Sequence, residues 1–142
     1  MQNGRFPYKK LAKYPHLSRE DIITWERFID NYPEIYISVE YDFALGNVDE
    51  HEAVSRELGI SGAERVNQYR IDVIGYRDER IDIIELKGKA TPAILGHIKA
   101  EKFLYDRDHS VGLPTRMIVI AREKTPELHT LAEAENIQLI MV

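Results

Sequence analysis

The sequence predicts an α/β fold, a mixed sheet with helices on both faces. Three observations predict it. Residues 69–76 and 81–87 alternate apolar and polar side chains on either side of a polar turn, Arg77-Asp78-Glu79-Arg80, which reads as a hairpin. An amphipathic stretch and an alternating stretch precede it. From Arg116 to Val142 a buried apolar run, a helical pattern and a second apolar run follow one another at the length of a parallel crossover. The order is helix, three strands with an insertion, helix, strand, helix, strand.

Composition narrows the class. The chain has 142 residues, 44% hydrophobic, enough for one domain, 1–142, with a real core. It has no apolar run long enough to span a bilayer and no signal peptide, which predicts a cytoplasmic protein with no membrane partner. It has no cysteine, so disulfides and thiolate metal sites are excluded, and any metal is held by oxygen or imidazole. Net charge is −5, from 19 basic and 24 acidic residues, which counts against a broad phosphate-binding surface but not against a local one.

Residues 1–17 form an N-terminal arm with Arg5, Lys9, Lys10 and Lys13 among Phe6, Tyr8 and Tyr14. Basic residues interleaved with aromatics suit nucleic-acid contacts, and equally an arm packed across the domain. Ser18 is placed to cap a helix, with Glu20 and Asp21 in its first turn, running to about Asn31 before Pro33. Its apolar stripe is Ile22, Trp25, Ile29, widened by Phe28 and Tyr32, and Glu26 lies inside it. A carboxylate there needs a partner, either a basic neighbour at the rim or a metal. Residues 35–43 alternate, with Ile35, Ile37, Val39, Tyr41 and Phe43 on one face of the first strand, ended by Gly46-Asn47.

Residues 47–68 read as a surface insertion, with a short helix over Asp49 to Leu58 and a turn between Gly59 and Gly62. His51 within it is an ordinary exposed histidine or a ligand. The hairpin Arg70 to Lys87 comes next. A symmetric four-residue turn sets Tyr76 opposite Ile81, Asp72 opposite Glu85 and Arg70 opposite Lys87, with facing Cβ atoms about 5 Å apart. Like charges so placed are unfavourable, and a divalent cation between them, or Lys87 in part, would compensate. Ile-Asp-Val-Ile and Ile-Asp-Ile-Ile-Glu-Leu-Lys are too apolar for a solvated ribbon with scattered charge.

Gly88 to Pro92 reads as a loop. A helix over about Ala93 to Asp106 sets Ile94, Ile98, Glu101, Leu104 and Tyr105 on one side with His97 beside them, while Lys99 and Lys102 point to solvent or phosphate. His97 follows the Glu85–Lys87 strand closely, where it would orient water, bind a phosphate oxygen, or simply edge the helix packing. After a loop over His109 to Pro114, Arg116 to Ala121 is a buried strand. Thr125 with Pro126 opens a helix to about Glu135, and Ile137 to Val142 closes the sheet.

Asp72 followed by Glu85-Leu86-Lys87 resembles the D…(D/E)-x-K signature of the PD-(D/E)XK nuclease superfamily, and the αβββαβ order resembles its restriction-endonuclease-like core, with an extra C-terminal α-β. Val39-Glu40-Tyr41, Arg70-Ile71-Asp72-Val73, Ile84-Glu85-Leu86-Lys87 and the closing strand–helix–strand are most similar to the nuclease domain of mismatch-specific endonucleases, over about residues 18–142 apart from 47–68. Ile71 stands where the signature has proline, and His97 where many members have glutamine. The mismatch enzymes' N-terminal partner domain has no counterpart here, so their substrate choice is not carried over.

The resemblance implies a Mg²⁺-dependent (or Mn²⁺-dependent) DNA endonuclease of repair or recombination. Asp72, Glu85 and the Leu86 carbonyl would hold the metal. Lys87 would orient or deprotonate the attacking water, and Glu26 would be the helix-borne acid. His97 would complete the catalytic set. The small size suits a homodimer whose two sites cut two strands. A catalytically inactive nuclease-like module that binds nucleic acid or a protein partner is the alternative expectation.

Overall fold

The computed structural model describes residues 4–46, 69–109 and 112–142. The expected insertion at 47–68, with His51, lies outside the described residues. Five strands form one mixed sheet in the order β1-β2-β3-β4-β5: β1 Ser38–Ala44, β2 Arg70–Tyr76, β3 Ile81–Ala90, β4 Thr115–Lys124 and β5 Ile137–Met141. β1, β2 and β3 pair antiparallel, and β3, β4 and β5 pair parallel. Three helices complete the chain: α1 Arg19–Asn31, α2 Ala93–Asp108 and α3 Leu128–Ala134. This is the αβββαβ order expected from the sequence, with the extra α-β after it.

Alternation along the strands divides the core in two. Val39, Tyr41, Val73, Ile84, Leu86, Ile118 and Ile120 face Trp25, Phe28 and Ile29 of α1. Ile74, Ile81, Ile83, Met117, Val119, Ile137 and Leu139 face α2 and α3. α1 starts where expected: the Asp21 N–H donates to Ser18 Oγ at 3.1 Å. It ends with the Tyr32 N–H on the Phe28 carbonyl, before Pro33.

The N-terminal arm packs across the domain. Phe6 exchanges backbone hydrogen bonds with Val39 on the edge of β1, and Tyr8 and Tyr14 meet Trp25, Tyr36 and Tyr41 edge-on. The Arg5 guanidinium lies 3.8 Å above the Tyr76 ring. These aromatics are therefore occupied by the core rather than presented for stacking.

Four local expectations are corrected. The first strand begins at Ser38, and Ile37 is exposed; Phe43 does not share a face with Tyr41 but packs on the α2 side. Asp42 between them has a left-handed φ of 52°, which breaks the two-residue alternation. Gly88 to Ala90 are strand, not loop, because β4 extends to Lys124 and pairs with them. The last helix starts at Leu128, since Glu127 takes φ 68°, so Thr125 does not cap it; its N–H goes instead to the Ala90 carbonyl. Lys99 and Lys102 are engaged by Glu135 and Asp106.

Candidate functional site

The hairpin closes through the Arg77 N–H to the Arg80 carbonyl, and its ladder sets Tyr76 opposite Ile81, Gly75 opposite Asp82, Ile74 opposite Ile83 and Val73 opposite Ile84. That is the expected register. Backbone pairing stops there. One step further, side chains replace it: the Leu86 N–H donates to Asp72 Oδ2 at 2.9 Å, and the Asp72 N–H reaches Glu85 Oε2 at 3.4 Å. The strands part at the two acids, and the acids' own oxygens satisfy the backbone groups that the ladder leaves.

Glu85 shares its face with Ile81 and Ile83, so α2 covers it. From α2, His97 brings Nε2 to 3.1 Å from Glu85 Oε1 and 2.8 Å from Glu101 Oε2. Glu101 is fully buried, and neither of its oxygens receives a well-directed hydrogen bond among the described residues. Burial, with the adjoining Glu85 charge, raises the carboxyls of Asp72 and Glu101 well above their ordinary range. Burial also works against charge on Glu85, but its close neighbours His97, Asp72 and Glu101 outweigh it and leave Glu85 below its ordinary value. His97 is raised, first by its hydrogen bond to Glu85. Of the three carboxyl groups, Glu85 is the one whose surroundings favour the charged form.

The cluster opens into a cleft of about 760 Å³ at the end of β3, lined by Asp72, Glu85, Leu86, Lys87 and His97, the start of α1, and Asp42 with Arg70. Lys87 is exposed there and makes no ion pair or hydrogen bond among the described residues. Its charge acts on Asp21 and His97. Arg70 does not face Lys87 in a paired ladder. It turns to Asp42, with Nε to Oδ1 at 2.7 Å and Nη2 to Oδ2 at 2.9 Å.

Of the residues expected at the site, Asp72, Glu85, Leu86, Lys87 and His97 come together. Glu26 does not: it accepts the Tyr14 hydroxyl at 2.7 Å and is absent from the cleft lining. α1 brings two acids to the cleft lining, Asp21, raised by burial, and Glu20, which pairs with Arg122. Asp21 carried no signal of its own because the capping pattern accounts for it. Glu101 did carry one, an acid inside the apolar stripe of its helix.

A carboxylate–imidazole cluster of this kind can bind a metal ion: Glu85, His97 and Glu101 each offer an atom within 4.8 Å of the others. No helix among the described residues is long and apolar enough to cross a membrane. Neither a comparison with protein-family models nor one with curated proteins finds a match. Two solved structures are similar. One is a repair endonuclease from Pyrococcus abyssi, at 20% identity over 68% of this chain and 49% of that one, with a TM-score of 0.45. The other is an EndoMS–dsDNA complex, at 16% identity over 94% of this chain and 48% of that one, with a TM-score of 0.49. The chain spans about half the length of each.

Proposed function

We propose that the chain is a divalent-metal-dependent DNA endonuclease, with Asp72, Glu85 and Lys87 at its centre. The observation that supports this most is the parted end of the β2–β3 ladder. There two largely buried carboxyl groups lie side by side, one of them raised above its ordinary range by burial and by the other's charge, next to an unpaired lysine at the mouth of an open cleft. Buried carboxylates in contact are unfavourable without a cation. Asp72, Glu85 and the Leu86 carbonyl offer the hard oxygen donors that Mg²⁺ or Mn²⁺ prefers. When bound there, the ion supplies Lewis-acid stabilisation of the charge gathering on a phosphodiester.

The chain's own residues do the rest. The Leu86 N–H fixes Asp72, and His97 fixes Glu85 from α2. Lys87, free of partners among the described residues, extends from the same strand toward the phosphate, where it orients the attacking water and balances charge on a non-bridging oxygen. Asp21 faces them from the start of α1 and is placed to accept a proton from that water. The choice of DNA follows from the resemblance of residues 70–72 and 85–87 to the nuclease signature.

Supercoiled and linear DNA incubated with Mg²⁺ or Mn²⁺ are expected to be nicked or cut. Lys87→Ala should slow cleavage by about 10²–10³-fold while leaving far-UV circular dichroism and metal affinity intact. Wild-type protein inert on duplex, single-stranded, branched and mismatched DNA with either metal would overturn the reading in favour of a module that binds without cutting.

A further inference from the structure

The Glu85 carboxylate is divided between two neighbours. Oε2 turns to Asp72, and Oε1 turns to His97 and, through it, to Glu101. The proposed nuclease centre uses the first side. The second side contains a geometry that one proton does not satisfy. A single ring nitrogen, His97 Nε2, lies within 3.1 Å of oxygens from two different carboxyl groups. One N–H can point at only one of them. Glu101 makes the mismatch sharper, because it is wholly buried, reaches into this cluster from α2, and has no well-directed hydrogen bond on either oxygen among the described residues. Buried carboxyl groups of this kind carry a desolvation cost that needs an explanation.

We infer that Glu85, His97 and Glu101 form a second dication site, distinct from the Asp72 side of Glu85, and that its imidazole selects a first-row transition ion over Mg²⁺ or Ca²⁺. Ligands about 2.1 Å from one octahedral ion sit about 3 Å apart when adjacent. The observed separations of 2.8 and 3.1 Å suit that arrangement. One ion between Nε2, Oε1 of Glu85 and Oε2 of Glu101 would give every one of these atoms a partner. Two carboxylates and one imidazole suit Mn²⁺, Co²⁺ or Zn²⁺, whereas Mg²⁺ and Ca²⁺ favour all-oxygen sites. His97 and Glu101, four residues apart on α2, present their ligand atoms on one face, so the helix delivers both without rearrangement. His97 is also partly exposed in the cleft, which gives an ion a way in. The inference rests on the nuclease reading only in sharing Glu85, and its test reads metal rather than cleavage.

Metal-free protein titrated with Co²⁺ is expected to develop a visible ligand-field band that Mg²⁺ in about tenfold excess does not abolish. Calorimetry with Mn²⁺ should give the matching affinity. Glu101→Gln, which keeps size and shape, and His97→Gln should each weaken Co²⁺ binding by at least about tenfold and lose the band. Asp72→Asn should keep the band, as should Lys87→Ala, which lies outside the ligand set. Unfolding curves without metal establish that each variant is folded, and two independent ligand variants guard against one failing to fold. A band unchanged in both Glu101→Gln and His97→Gln overturns the inference. So does a band lost in Asp72→Asn, which assigns the ion to the nuclease centre, or Co²⁺ binding no tighter than Mg²⁺. None of these outcomes depends on whether DNA is cut. Wild-type protein that develops the band yet cuts no DNA overturns the nuclease reading alone.

Discussion

Asp82 and Glu85 lie three residues apart on β3, one on each face of the sheet, with 0% and 3% of their surfaces exposed. Their surroundings are opposite. Asp82 faces the α1 side, where the Tyr36 hydroxyl donates to Oδ2 at 2.7 Å, Arg80 Nε donates to Oδ1 at 2.8 Å, and Arg116 stands 3.7 Å from Oδ1. Room for this is built into the sheet. Gly75 faces Asp82 across the ladder, and a Cβ there would meet the Tyr36 ring at 2.4 Å. Glu85 faces α2 and is surrounded by Asp72, His97 and Glu101, and burial together with the Glu85 charge raises both of the other carboxyls above their ordinary range. A buried acid that serves the fold is given fixed cations and donors. A buried acid left among other acids is poised for a cation from solution.

The largest expected effect tests the first half of that contrast. Asp82→Ala leaves Arg80 and Tyr36 without their acceptor in a buried setting, and should cost about 3–5 kcal/mol of folding stability. Urea unfolding at neutral pH measures it. A loss below about 1 kcal/mol, the size of an exposed ion pair, would mean that Asp82 is not held as described and that the two acids differ less than their neighbours suggest.

The same two acids show what was legible beforehand. The period-two pattern of residues 70–87 marked the two strands, and a symmetric four-residue turn at Arg77 to Arg80 was enough to set the hairpin register. The pairing of Asp72 with Glu85 followed, although side chains rather than the ladder hold them there. The helix-borne acids were less legible. Glu26 and Glu101 carry the same signal, a carboxylate inside an apolar stripe. Tyr14 answers Glu26, and it comes from an arm without periodicity, so the sequence could not tell which acid was already satisfied. Asp42 was opaque for a different reason. A left-handed residue between Tyr41 and Phe43 turns the second ring to the other face, and no glycine marks the place. Strand β3 runs three residues past its expected end because its partner β4 is longer than the apolar run that announced it.

The second half of the contrast predicts the opposite sign. Glu101→Leu replaces a buried carboxyl that lacks a well-directed partner with a side chain that suits Ile94, Ile98 and the rest of that face. In metal-free protein, stability should be retained or raised, by up to about 1–3 kcal/mol. Denaturant unfolding in the presence of a chelator reads it directly. A loss comparable to that of Asp82→Ala would show that Glu101 is a structural acid after all, and would remove the distinction between the two faces of β3.

The smallest effect sharpens the Asp82 side. Arg80 and Arg116 both approach Asp82 Oδ1, but only Arg80 is at hydrogen-bond distance, and Arg116 Nε is buried without a hydrogen bond among the described residues. The Arg116 side chain is 38% exposed, so solvent screens much of what its charge contributes. Arg116→Ala should therefore cost less than about 1 kcal/mol, with a larger loss for the corresponding change at Arg80, because Arg80, unlike Arg116, donates to the carboxylate. Equal losses would assign the neutralising role to the summed charge of both arginines rather than to one directed hydrogen bond. The stability contributed by Arg116 should also fall as salt is raised, as expected for a partly exposed charge acting across 3.7 Å.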